Sequence, residues 1–306
     1  MQLSIPLAVG LCIAFACLFV GVLHIFVPIH IRRLGYYDDR QIKWRMAVLV
    51  PVCLACPAAV KLALGCSWVQ LGPLLGIPTS GSAFEFLQSI AISLGLTMTL
   101  FLGPIVDLSL QTYDRYSYRK SILHAEAGKE GTRNFNARGS WQNFAGYAFD
   151  RMGKTVVQAV TQWAEFRQIV FAPISEEWVF RSCMIAALRS AGFSTMSCCI
   201  IAPLFFGVAH LHHAVQKLRE GNPARNVLFV VLFQMAYTSI FGFYAVYLLL
   251  STGRILPVMI VHGFCNIMGF PEPSGRLISS VAYIIGISVF ALSIHPLTTS
   301  LGVPSQ

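Results

Sequence analysis

The sequence predicts an all-α polytopic integral membrane protein, with about eight transmembrane helices surrounding a buried polar site. Charged residues make up only 11% of the 306 residues, whereas a soluble globular protein has about 25%. Hydrophobic residues make up 56%. The charges are also clustered, because 13 of the 35 lie within residues 107–154 while long runs elsewhere carry none. A chain of this composition cannot cover itself with a water-soluble surface.

The uncharged runs locate the transmembrane spans, since each can supply the roughly 17 to 25 apolar residues that a bilayer-spanning helix needs. The first run has no basic residues before it and stays apolar as far as Ile31, which favours an uncleaved span over a signal peptide. The eight predicted spans cover residues 4–27, 46–66, 86–106, 168–188, 193–212, 227–250, 255–271 and 277–296.

These spans divide the chain into three parts. Residues 1–106 form an N-terminal region of three spans, and residues 107–154 form a polar segment that we interpret as a loop. Residues 155–306 form a membrane core, in which an amphipathic helix over residues 155–166 lies in the interface and five spans follow.

The distribution of Lys and Arg predicts the orientation of the spans. With the uncharged N-terminus outside, 18 basic residues lie on the cytosolic side and only Arg189 and Arg254 lie outside. This asymmetry follows the positive-inside rule. It predicts a cytosolic 107–154 segment and both termini in the lumen, and it explains the net charge of +9 without a nucleic-acid partner.

The nine cysteines are typical of membrane helices rather than of a disulfide framework. Cys53 and Cys56 form the single CxxC motif, and no second CxxC or histidine pair completes a structural zinc site.

Polar residues inside the predicted spans are the functional candidates, because ionisable groups are costly in a bilayer. Glu176 lies nine residues after Arg167, which is about 13 Å below the cytosolic edge. His210 lies about 10 Å below that edge, and His262 and Asn266 lie about 15 and 9 Å below it. Three helices thus place these four side chains in one layer, which indicates a shared polar site.

Spacing within the helices adds detail. Glu177 and Arg181 are four residues apart, a geometry that favours an intrahelical ion pair, and Glu176 projects about 100° away from Glu177. His262 and Asn266 are also four residues apart and point to one region. Taken alone, that pair favours a structural hydrogen bond between helices, but its depth matches that of Glu176 and His210 and favours a functional site instead.

The chemistry that fits this layer is water-activated hydrolysis. Glu176 can act as a general base, with His210 sharing the proton. An imidazole N–H of His262 and the amide of Asn266 can stabilise an oxyanion. The candidate activity is therefore that of a metal-independent peptide hydrolase within a membrane.

Three alternatives remain open at this stage. Glu176, His210 and His262 could instead bind zinc, with water as the fourth ligand. Cys183 or Cys265 could act as a nucleophile. A proton-coupled transporter would also place Glu and His in its spans, although the two halves of this sequence show none of the inverted repeats expected of one.

The motifs resemble those of a known family. RQIVFAPISEEWVFR at residues 167–181 contains EExxxR, from Glu176 to Arg181, and FxxxH and HxxxN follow in order, ending at His210 and Asn266. Together they resemble the CAAX prenyl endopeptidases of the Ras-converting type, within the superfamily of CAAX proteases and bacteriocin-processing enzymes. The resemblance covers about a third of the chain, from residue 167 to 270.

The resemblance implies removal of the C-terminal tripeptide from prenylated CAAX proteins after the lipidated cysteine, in the endoplasmic reticulum membrane. The implied partners are farnesylated or geranylgeranylated CAAX proteins such as Ras-type GTPases, together with membrane lipid, and no cofactor is implied. The implied catalytic residues are Glu176, His210, His262 and Asn266, with supporting roles for Glu177, Arg181 and Phe206.

Overall fold

The computed structural model describes residues 2–35, 37–126, 137–209, 214, 217–218 and 221–301. These parts of the chain are helical and contain no β-strand. The N-terminal half contains α1 (Ile5–Ile25), α2 (Ile29–Arg32), α3 (Asp39–Leu64), α4 (Trp68–Leu74), α5 (Ala83–Leu100), α6 (Leu102–Glu126) and α7 (Ala137–Thr161). The C-terminal half contains α8 (Trp163–Phe166), α9 (Ala172–Glu176), α10 (Met184–Ser190), α11 (Thr195–Ala209), α12 (Ala224–Thr252), α13 (Ile255–Met268) and α14 (Leu277–Thr299).

The predicted all-α polytopic membrane fold is confirmed. Five of the described helices, α1, α3, α5, α12 and α14, are long and apolar enough to cross a bilayer, and α11 and α13 are shorter apolar helices. The predicted span at 86–106 corresponds to α5, which is long and apolar enough to cross a bilayer but begins at Ala83 and ends at Leu100, before α6 begins at Leu102. Phe101 leaves the helical conformation there, with φ −90° and ψ 17°.

The predicted polar loop at residues 107–154 is helical over most of the part that the structure describes, because α6 continues to Glu126 and α7 begins at Ala137. Its cytosolic location stays a prediction. Tyr113 of α6 packs edge-on against Phe144 of α7 at 5.4 Å between ring centroids, and Tyr116 packs on Tyr147 at 5.6 Å. The polar composition obscured these aromatic pairs, which give the two helices a shared apolar face.

The predicted interfacial helix over residues 155–166 is interrupted once. α7 ends at Thr161, and Gln162 has extended dihedral angles before α8 begins.

A long helix over residues 163–190, which we call the central helix, passes through the middle of the bundle. It comprises α8, α9 and α10, joined by π-helical stretches at Arg167–Phe171 and Glu177–Cys183. Residues 179–188 are all buried, and α1, α3, α11, α12 and α13 contact this helix. Single π-helical turns occur often at functional sites, and both stretches lie next to the predicted site residues.

Candidate active site

The central helix and α13 bring three of the predicted site residues into a buried charged cluster. Nδ1 of His262 lies 2.6 Å from Oε1 of Glu177, and Nη1 of Arg181 lies 3.2 Å from the same oxygen. Because an ionised carboxylate can only accept, the imidazole donates its Nδ1–H to Glu177. The predicted ion pair between Glu177 and Arg181 is thereby confirmed, and Glu177 also fixes the orientation of the His262 ring.

Aromatic rings surround the guanidinium of this cluster. The Arg181 side chain is only 1% exposed, and its guanidinium carbon lies 4.1 Å from the ring centre of Phe206 and 5.8 Å from that of Phe241. Phe241 also packs on the His262 ring, at 4.9 Å between centroids. Cation–π contacts partly replace the hydration that a buried guanidinium loses, so Phe206 and Phe241 stabilise the charge of Arg181 in this interior.

Glu176 faces away from the ion pair and into a cavity of about 140 Å³. Residues of α1, α3, α11 and the central helix line this cavity, among them Phe19, Met46 and Phe206. Oε2 of Glu176 lies 3.9 Å from Nε2 of His262. Two atoms at this separation can both contact a single oxygen atom at about 2.8 Å, so a water or a carbonyl oxygen between them can interact with both groups.

The two ring nitrogens of His262 face different carboxylates. Nδ1 bonds to Glu177, and Nε2 lies 3.9 Å from Oε2 of Glu176. In the imidazolium form both nitrogens carry a hydrogen, so in that form the Nε2–H can donate to an oxyanion beside Glu176.

Asn266 connects α13 to the first π-helical stretch. Its Nδ2 donates to the backbone oxygen of Gln168 at 2.8 Å. That oxygen has no helical donor, because the Ala172 N–H bonds to Arg167 and Pro173 has no N–H. The contact thus satisfies a carbonyl that the helix itself leaves unpaired. Each amide nitrogen has two hydrogens, so the second can serve a substrate.

Gly263 lets α13 approach the central helix closely enough for these contacts. A Cβ at this position would lie 2.7 Å from the backbone oxygen of Ile169, which cannot move without disturbing the helix. We expect Gly263→Ala to displace α13 and to lower the free energy of unfolding by about 1–3 kcal/mol. Both the melting temperature and kcat should therefore decrease. The matched control is Gly95→Ala in α5, where a Cβ would meet no atom within 4 Å. Equal melting temperatures and rates for the two variants would contradict this role for Gly263.

Trp178 anchors the opposite side of the central helix to α3. Its Nε1 donates to the backbone oxygen of Cys53 at 2.8 Å. In a regular helix that oxygen would bond to the N–H of residue 57, but residue 57 is proline. The indole therefore satisfies a carbonyl that Pro57 leaves unpaired. Ser182 similarly donates to the backbone oxygen of Leu75.

We expect Trp178→Phe to destabilise the protein by about 1–3 kcal/mol, because the Cys53 oxygen would become a buried acceptor without a donor. Adding Pro57→Ala restores a backbone N–H to that oxygen. The double variant should therefore melt at a higher temperature than Trp178→Phe alone. The increase in melting temperature caused by Pro57→Ala should be larger in the Trp178→Phe protein than in the wild-type protein. If Pro57→Ala has the same effect in both backgrounds, the two residues are not coupled.

The remaining predicted site residues are placed as follows. His210 lies outside the described residues, so its contacts with Glu176, and any zinc site that includes it, stay predictions. No group of three potential metal ligands occurs among the residues that the structure describes. Cys183 is fully buried and Cys265 is partly buried, and neither lines the Glu176 cavity. All nine cysteines are free thiols.

Comparison with known proteins identifies the family. A family model described as "Type II CAAX prenyl endopeptidase Rce1-like" matches residues 159–268. The human protein "CAAX prenyl protease 2" is 31% identical over 299 residues, covering 94% of this chain and 80% of its own length. The protein of the same name from Arabidopsis thaliana is 31% identical over 311 residues, covering 98% of this chain and 92% of its own. The chain belongs to the Rce1-like family of type II CAAX prenyl endopeptidases. No solved structure matches it significantly.

Family membership confirms the resemblance inferred from the three motifs and extends it over almost the whole chain. The Rce1-like region at residues 159–268 includes the central helix, α11, α12 and α13, which supply the contacts of the charged cluster described above. The three motifs do not specify three groups that contact or position the cluster, which are Trp178, Phe241 and the backbone of Gln168. The sequence indicates the contacts of Trp178 and of the Gln168 backbone, because Pro57 and Pro173 each leave a backbone carbonyl that needs a side-chain donor.

Proposed function

We propose that this Rce1-like chain is an intramembrane endopeptidase that removes the C-terminal tripeptide from prenylated CAAX proteins, after the lipidated cysteine. The observation that carries this proposal is the placement of Glu176, which faces a cavity beside Nε2 of His262. The names of the relatives, which are CAAX prenyl proteases, support it. Farnesylated and geranylgeranylated proteins, such as Ras-type GTPases, are the proposed substrates.

In the proposed mechanism Glu176 takes a proton from water, and His210 shares that proton. The resulting hydroxide adds to the scissile carbonyl, and the developing oxyanion accepts hydrogen bonds from Nε2–H of His262 and from the free amide hydrogen of Asn266. Such donors stabilise charge as it develops in the transition state. Glu176 then passes its proton to the leaving amine, and Glu177 and Arg181 hold the imidazole in place throughout.

The deciding experiment incubates purified protein in detergent with a farnesylated CAAX peptide and measures tripeptide release. We expect tripeptide release from the farnesylated peptide and little release from the same peptide without its lipid. Prolonged chelation should leave the rate of release unchanged, because we propose that no metal takes part. Failure to release a tripeptide, or cleavage at another bond, would overturn the proposal. Loss of activity on chelation that zinc alone restores would establish the zinc alternative.

We also propose an endoplasmic reticulum location with the site opening toward the cytosol, as the distribution of basic residues predicts. A glycosylation acceptor inserted near Gly131 should therefore remain unmodified. An acceptor inserted in the 77–82 segment, between α4 and α5, should be modified, because the same topology places that segment in the lumen. Gel mobility before and after glycosidase treatment measures both, and the reverse pattern would invert the topology.

A further inference from the structure

A second cavity lies toward the opposite end of the central helix from the candidate active site. It has a volume of about 320 Å³, and its walls come from α4, α10, α12, α14 and the start of α11. Arg189 of α10 lines it and lies 13 residues after Glu176, which is about 20 Å along the helix axis. The two cavities share none of the described lining residues, so they are separate sites.

Part of the lining of this cavity attracts anions. Arg189 supplies a positive charge, and its Nη1 donates to the backbone oxygen of Phe193 at 2.8 Å, which holds the side chain against the turn after α10. Thr195, the first residue of α11, also lines the cavity, and the N-terminus of a helix carries a partial positive charge. His295 and the hydroxyl of Tyr247 add hydrogen-bonding groups. Neither Asp nor Glu occurs among the described residues of the lining, so it favours a negatively charged ligand.

The rest of the lining is apolar. It is formed by residues of three helices, namely Leu74, Ile185, Ala186, Leu249 and Leu250. The predicted topology places Arg189 at the lumenal edge of the membrane, which is the level of the lipid phosphates, and the hydrocarbon core begins just below that level. A ligand with a negatively charged head and an apolar tail therefore matches both parts of the lining.

Hydrogen bonds hold the walls of this cavity in place. The hydroxyl oxygens of Tyr247 and Thr298 lie 2.8 Å apart, and this bond joins α12 to α14. The backbone N–H of Ile255 donates to the backbone oxygen of Gly76 at 3.0 Å, which ties the segment after α4 to the start of α13. The cavity is therefore formed before a ligand binds, which lowers the entropic cost of binding. Thr299 of α14 lines the cavity and is exposed, so a ligand can enter past it.

We propose that this cavity binds an anionic phospholipid from the leaflet opposite the catalytic site. Arg189 pairs with the phosphate, His295 and Tyr247 offer hydrogen bonds to the head group, and the apolar lining holds the first part of an acyl chain. The bound lipid contacts α4, α10, α12 and α14 together, so it stabilises their packing around the central helix. The proposal does not depend on the peptidase activity.

The test measures the melting temperature of purified protein, washed free of lipid in a neutral detergent, after adding phosphatidylglycerol, phosphatidylcholine or glycerol 3-phosphate. We expect saturating phosphatidylglycerol to raise the melting temperature by about 5 °C or more, because a ligand that binds only the folded state stabilises it. Phosphatidylcholine has the same phosphate but no net charge, and glycerol 3-phosphate has no acyl chains. Both should cause much smaller shifts.

Two variants locate the bound lipid. Arg189→Gln removes the positive charge, and Thr299→Trp fills the entrance while keeping Arg189. Both should abolish most of the shift caused by phosphatidylglycerol. The matched controls are Arg254→Gln and Ser300→Trp, because Arg254 pairs with Glu85 at 3.6 Å and neither position lines the cavity. Each shift is measured against the lipid-free melting temperature of the same variant, so a change in intrinsic stability does not affect the comparison.

Four results would overturn the proposal. The first is no shift in wild-type protein, and the second is an equal shift with phosphatidylcholine, which would indicate a general effect of lipid. The third is an equal shift with glycerol 3-phosphate, which would indicate a phosphate site that needs no lipid. The fourth is a full shift in Thr299→Trp, which would place the lipid elsewhere even if Arg189→Gln fails to fold.

Discussion

Replacing Glu176 with Gln should lower kcat for tripeptide release by about 10³-fold, while KM and the melting temperature stay close to wild type. Gln has nearly the same shape but cannot accept the proton of the attacking water, and a positioned general base contributes about 10² to 10⁴. Glu176 is outside the ion pair and partly exposed to its cavity, so losing its charge leaves no buried cation unpaired. The measurement is kcat per folded molecule with a farnesylated peptide.

The matched control for this experiment is Glu272→Gln, which removes a carboxylate from an exposed position after α13. It should leave kcat unchanged. A folded Glu176→Gln protein with wild-type turnover would remove Glu176 from the mechanism, whatever the family of the chain.

The largest effect on stability should come from Arg181→Met. Glu177 is completely buried, and without the guanidinium its negative charge has no cationic neighbour on its own helix. Removing one partner of a buried ion pair costs about 3–5 kcal/mol. We therefore expect a strongly lowered melting temperature and a low yield of folded protein.

The double variant Glu177→Gln with Arg181→Met tests the cause of that loss. It removes both charges together and should recover most of the stability lost in Arg181→Met, since a pair of neutral groups avoids the unpaired charge. It should not recover kcat, because a neutral amide holds the His262 imidazole less firmly than a carboxylate. If the double variant is no more stable than Arg181→Met, lost packing on Phe206 rather than charge explains the effect.

The sequence predicted the helical membrane fold and the ion pair because both depend on local patterns. Uncharged runs mark spans, and a four-residue spacing places Glu177 beside Arg181 wherever the helix lies. It predicted that His262 and Glu176 share a layer, because depth along each span can be counted from flanking charges. It could not predict that His262 bonds to Glu177, because that contact depends on how α13 rotates against the central helix.

Two other features were beyond the sequence for identifiable reasons. The π-helical stretches change which backbone groups are paired, and no residue pattern marks them reliably. The helices α6 and α7 depend on contacts such as Tyr113 with Phe144, which connect residues on either side of 127–136.

The buried charged cluster has a consequence for how this protein is made. Charged residues near the middle of a helix add about 2.5–3.5 kcal/mol each to its insertion into a membrane, and the central helix carries Glu176, Glu177 and Arg181. The partner that completes the cluster, His262, is 85 residues later in the chain and leaves the ribosome long after the central helix. We therefore expect the central helix to stay in the translocon or beside a membrane chaperone during synthesis until α13 arrives. Chains truncated before α13 should be recognised as unassembled and degraded.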